Sequence, residues 1–197
     1  MTRTSIKTPL IASLLTLALG GGLALNTTVQ AATMSHDSVT VGGQSMLPSK
    51  DIVDNAVNSS DHTTLVAAVK AAGLVDTLKG KGPFTVFAPV NSAFTALPAG
   101  TVDTLLKPEN KATLTKILTY HVVAGKLDMM TLTEKIKAGG GKTELTTVAG
   151  GKLWAMMNGP HNITIKDEKG DVADITTYDV YQSNGVIHVI DKVLLPK

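Results

Sequence analysis

Apolar positions recur at helical spacing through the first half of the chain and in strand-like alternation through the second. Within 51–58, Ile52, Val53, Ala56 and Val57 fall at i, i+1, i+4 and i+5, one face of a helix. A second helix is expected from Asp61 as its cap, with Leu65, Ala68, Val69 and Ala72 on the buried stripe and Gly73 as the terminating residue. The β-branched and aromatic run 84–88, between Pro83 and Pro89, predicts a strand. Asn91 then stands where it would cap a short helix carrying Ala93, Phe94 and Leu97. Val102, Leu105 and Leu106 suggest another short helix, and Leu114, Ile117 and Leu118 a longer one running into Tyr120-His121-Val122-Val123.

After Gly139-Gly140-Gly141 the period changes. Gly150-Gly151 separates 144–148 from 153–157 at hairpin spacing, and turns at 158–160 and 167–170 bracket the alternating run 162–166. Asn184-Gly185 is expected to supply the positive φ values of a tight turn. In 186–190, Val186, His188 and Ile190 share one face while Ile187 and Val189 take the other, so a central strand covered on both sides is predicted. A helical first half and a β-rich second half make an α+β fold, with helices packed on an antiparallel β-sandwich or wedge. Residues 32–49, small, polar and Gly-containing, are expected to form a flexible lead-in to a domain over 50–197.

The first 31 residues read as a signal peptide. Arg3 and Lys7 precede an apolar stretch from Leu10 to Leu25, and Val29-Gln30-Ala31 offers the small residues of a cleavage site. The triple glycine 20–22 and the polar 26–28 leave that stretch short of the roughly 20 apolar residues that span a bilayer, so no stable membrane insertion is expected after cleavage. Secretion to the periplasm, medium or cell surface follows as the expectation. The formal charge is +2, and both Arg3 and Lys7 leave with the signal, so the remainder is neutral. Arg3 is the sole arginine, so the remainder lacks the arginine-bearing basic face on which nucleic-acid binding would rest. There is no cysteine, so neither disulfides nor thiol chemistry enter.

Chemical signals are sparse. No Gly-x-Ser-x-Gly elbow or phosphate-binding glycine loop occurs, and no enzyme, cofactor or resident metal is expected. His121 and His188 lie in apolar context without ligand spacing and are read as core histidines bonded to backbone. The acidic run Asp167, Glu168, Asp171 and Asp174 lacks the ligand order of a calcium loop and is read as a solvated turn. Met34-Ser35-His36 is a weak copper candidate. Trp154 and Met156 share a face of their strand with Met157 opposite; they are ordinary filling or the wall of an apolar ligand groove. Past a helix ending near Thr119, neighbours in extended chain point to opposite sides, which sends Tyr120 to the surface and His121 to the core.

Three segments, in order, resemble the fasciclin (FAS1) family. These are Phe84-Thr85-Val86-Phe87-Ala88-Pro89-Val90-Asn91-Ser92-Ala93-Phe94, with Val90 where the family has Thr; Tyr120-His121 followed by Val122-Val123-Ala124-Gly125; and the closing run from Ser183 to Pro196. The resemblance covers roughly residues 50–196. It implies a compact module for cell adhesion or for surface and matrix association, with a protein or glycan as partner. Some fasciclin-like proteins resemble carriers of apolar pigments, so a small apolar ligand such as a lipid or carotenoid is the alternative. Tyr120, His121, Trp154 and Met156 are thus the candidate binding residues, and Asn91, Asn184, Gly185 and His188 the structural ones.

Overall fold

The computed structural model describes residues 38–197, so the expected signal peptide and Met34-Ser35-His36 lie outside the described residues. A short hairpin comes first, β1 (Val39–Val41) paired with β2 (Gln44–Met46). It falls in the stretch expected to be a flexible lead-in. Three-residue strands are too short to reveal alternation, yet Val41 and Met46 are buried and anchor the hairpin. Gly42 has φ 58°, and a Cβ there would come within 2.5 Å of Ser59 Oγ, so only glycine fits the turn.

Six helices and two strands follow: α1 (Ile52–Ala56), α2 (Thr63–Ala72), α3 (Val75–Lys79), β3 (Phe84–Pro89), α4 (Asn91–Thr95), α5 (Thr101–Leu105), α6 (Lys111–Tyr120) and β4 (Val122–Ala124). Asp51 caps α1 by accepting from Asp54 N at 2.8 Å, and Gly73, at φ 71°, ends α2. Asp61 is not the cap of α2. A 3-10 turn over Ser60–His62 leads in, and the amide of Asn91 does the capping from a distance. Asn91 Oδ1 accepts from Thr64 N at 3.0 Å, and its Nδ2 donates to the Ser60 carbonyl at 2.8 Å. Asn91 is the first residue inside α4, so it staples α4 to α2 instead of capping its own helix.

The rest is α7 (Met129–Ala138), β5 (Lys142–Thr146), β6 (Lys152–Met157), β7 (Ile163–Lys166), β8 (Val172–Gln182) and β9 (Gly185–Ile190). The main sheet has the order β4-β3-β9-β8-β7-β6-β5, and its edges approach one another where Val148 N donates to the Val122 carbonyl at 2.7 Å. Its pairs are antiparallel apart from β3 with β9, which run parallel. A parallel pair needs a long crossover and is normally buried on both faces. Here α4 through β8 supply the crossover, and all six residues of β9 are buried.

Alternation along β3 and β9 therefore feeds two cores. Val86, Ala88, Ile187 and Val189 join α1, α2 and α6 in the first, while Phe87 and Ile190 join α7 and the inward residues of β5 to β8 in the second. The turn into β9 differs from expectation, because neither Asn184 nor Gly185 has positive φ. Gly185 is required by proximity, since a Cβ there would sit 2.1 Å from the Phe84 carbonyl oxygen. Asn184 ties three segments together: Nδ2 donates to the carbonyls of Leu78 and Gly80, and Oδ1 accepts from Ile52 N at 3.1 Å.

Candidate functional site

Tyr120 is the last residue of α6, one position further than a helix ending at Thr119 would allow, so strand alternation never begins there. Its side chain is fully buried in the second core and not at the surface. The hydroxyl donates to the Lys152 carbonyl at 2.6 Å and accepts from Glu168 N at 3.0 Å. Burial pushes the phenol up to about 12. Gly151 makes room for the ring, as a Cβ there would lie 2.6 Å from it.

His121 is buried beside it. Nδ1–H donates to the Ile117 carbonyl at 2.8 Å and Nε2 accepts from Leu194 N at 2.9 Å, which fixes the neutral tautomer. Burial pulls its pKa down to about 4. His188 is held the same way: Nε2–H donates to the Leu127 carbonyl at 2.7 Å, and Nδ1 faces Asp179 N at 3.4 Å. Its ring stacks on Phe87 and meets the edge of Tyr178, and burial lowers its pKa.

Asp179 carries no forecast from the sequence. It lies where β8 loses register with β9, and at φ 56° it is the one non-glycine residue with positive φ among the described residues. Aspartate tolerates that region, and here its carboxylate accepts from Met129 N at 2.7 Å, docking the start of α7. The signal was the interruption of alternation around Tyr178-Asp179.

The acidic turn is not simply solvated. Asp167 is buried; Oδ1 accepts from Lys169 N and Asp171 N, and Oδ2 accepts from Leu195 N. Glu168 accepts from Lys152 N and Lys197 N, which hold its carboxyl below the usual range. These carboxylates bind backbone, and no group of three or more metal-ligating side chains stands together among the described residues.

Two surfaces remain. On β6, Trp154 and Met156 are half-buried on the outer side of the sheet, with Met157 turned toward the second core. Trp154 stands in register with Glu144 and Lys166, and Met156 with Lys142 and Thr164; Lys152 pairs with Glu144 at 2.7 Å. The second feature is a cavity of about 80 Å³ in the first core, walled by residues including Ile52, Leu65, Val69, Val86, Ile187 and Val189. Of the four candidate binding residues, His121 alone lines it; Tyr120, Trp154 and Met156 do not. His62, which sequence reasoning passed over, lines it too. Ser59 Oγ lies 2.9 Å from His62 Nδ1, and burial lowers the imidazole pKa.

The fasciclin domain family model matches residues 60–196. Protein sll1483 of Synechocystis is 50% identical over 147 residues, covering 74% of this chain and 73% of that protein. The cell surface glycolipoprotein MPB83 of Mycobacterium bovis is 35% identical over 146 residues, 72% of this chain and 58% of that one. The solved FAS1 domain pair of the insect cell adhesion molecule fasciclin I shares the fold at a TM-score of 0.56 and 21% identity, over 72% of this chain and 45% of that one. Its three motifs, its two-core fold and these relatives agree: the chain belongs to the fasciclin domain family.

Proposed function

We propose that this chain is an exported interaction module that supports cell adhesion or surface and matrix association through contacts with a protein or glycan, and is not an enzyme. The observation that best supports this is the outer face of β5, β6 and β7, where Trp154 lies half-buried among Glu144, Lys152 and Lys166. A tryptophan with an accessible ring edge amid polar side chains is the composition of interface hot spots. The names of relatives, a cell surface glycolipoprotein and a cell adhesion molecule, lend it further support. Tyr120 and His121, being buried, act as scaffold beneath it.

Surface-coating and cell-binding assays on the protein and on Trp154→Ala test the reading. Binding that falls in Trp154→Ala at an unchanged melting temperature is the expected result; a protein that adheres to neither cells nor coated matrix contradicts it. Intact mass of the exported form tests the expected cleavage next to Ala32.

The cavity in the first core supports a second reading, a carrier of a small apolar ligand. At about 80 Å³ it does not enclose a whole lipid or carotenoid, so such a ligand would have to reach outward past the exposed cavity-lining residues Thr77 or Val148. Protein isolated from its own cells would then yield an extractable lipid or chromophore by mass spectrometry, whereas a pure adhesin would yield none.

A further inference from the structure

The chain contains two Asn-Gly pairs, 158–159 and 184–185, and the fold treats them in opposite ways. Asn184 is locked in place. Its Nδ2 donates to the carbonyls of Leu78 and Gly80, its Oδ1 accepts from Ile52 N, and Gly185 is buried in β9. Asn158 and Gly159, in contrast, are exposed in the turn between β6 and β7. Asn158 N donates to the Asn162 carbonyl at 2.7 Å, which closes that turn. Among the described residues, neither the Asn158 side chain nor Gly159 N makes a hydrogen bond. Gly159 has φ 85°, and apart from its chain neighbours no heavy atom lies within 4 Å of where a Cβ would stand.

We propose that Asn158 is a site of spontaneous deamidation, and that the fold withholds the same reaction from Asn184. Once base removes its proton, Gly159 N attacks Asn158 Cγ. The new C–N bond closes a succinimide ring as the Cγ–Nδ2 bond breaks and ammonia leaves. Water then opens the ring at either carbonyl and leaves aspartate or isoaspartate, with no oxidant or cofactor involved. A following glycine favours closure, because no Cβ hinders the approach of its nitrogen. At Asn184 the same approach first requires breaking three hydrogen bonds and opening β9 locally. Asn158 directly follows β6, so either product adds a negative charge at the end of the strand that carries Trp154 and Met156. This chemistry belongs to the chain alone and does not depend on that face being adhesive.

Purified protein is held in mildly alkaline buffer, sampled at intervals and digested with pepsin in acid, which halts the reaction. Mass spectrometry with fragment ions then follows each pair, since asparagine is thermolabile and its conversion to an acid adds about one mass unit. The folded protein is expected to convert Asn158 at least about tenfold faster than Asn184, whose reaction waits on local opening. In guanidinium, where both pairs are free, the two rates should agree within about threefold. Asn158→Gln, whose longer side chain closes a ring poorly, should stay unconverted at an unchanged melting temperature. Equal conversion of the two sites in the folded protein, or none at Asn158, would overturn the proposal. A tenfold preference that persists in guanidinium would place the contrast in the flanking sequence, and would overturn the protection assigned to the fold.

Discussion

The two cores on either side of β3 and β9 are built to different standards. On the α7 side, Tyr120, His188, Leu132, Leu153 and Ile163 are fully buried, and the polar atoms of Tyr120 and His188 are bonded. On the helical side the walls leave a partly open cavity, and His62 Nε2 makes no hydrogen bond of standard geometry. Protein interiors are normally close-packed and polar-satisfied. The second core obeys both rules and holds the geometry; the first relaxes both in one place. The tightly packed and the loosely packed regions are thus separated by two strands.

The largest effect that could break this contrast is at His188. Replacing it with Asp puts an unpaired charge in a sealed core, at a cost of several kcal/mol against a total stability of about 5–15 kcal/mol. Thermal melts of His188→Asp should show an unfolded or barely folded protein, and an unchanged melting temperature would mean that this core is not sealed. Next, Tyr120→Ala is expected to lose about 3–5 kcal/mol, as a cavity opens under the Lys152 and Glu168 contacts. Tyr120→Phe, which strands those two backbone groups, should lose about 1–3 kcal/mol in denaturant titrations.

Acid should act on the same framework. His121 binds its proton near 6.5 in the unfolded chain and only near about 4 in the folded one. Between those values the unfolded state holds more protons. Stability present above pH 6.5 is therefore lost as pH falls toward 4, by about 3 kcal/mol for this group. His188 and His62, also lowered by burial, add loss in the same direction. Tyr120 acts at the other end: its raised pKa gives stability present below pH 10 and lost as pH rises toward 12. Melting temperatures across pH 4–11 that stay flat would contradict the buried placement of these groups.

The smallest effect sharpens the contrast most finely. Ala155→Val, in the fully packed second core, should cost about 1–3 kcal/mol through overpacking, whereas Val86→Ile, which points an extra methylene at the cavity, should cost less than about 0.5 kcal/mol or stabilise. Equal costs at the two positions would remove the distinction.

Long-period information survived the passage from sequence to fold. The stripes of α2 and α6, the hairpin of β5 with β6 and the doubly covered β9 were legible, because each rests on several residues in phase. What could not be read depends on single residues meeting across the chain. Asn91 caps a helix some 30 residues upstream, and Gly185 is needed for its nearness to Phe84, a steric demand invisible without the fold. Tyr120 failed for a local reason: one more residue of helix turned it inward, and helix ends are the least certain part of any pattern. His62 had no signal, since whether a buried nitrogen finds a partner is decided only in the assembled fold.

Xenon offers the most direct test of whether free space belongs to the helical side alone, since it enters dry apolar cavities. Methyl resonances of Val86, Val180 and Ile187, around the cavity, should shift saturably under xenon pressure, while those of Leu153, Ile163 and Ile165 in the second core stay in place. Matching shifts on both sides, or none around the cavity, would contradict the account.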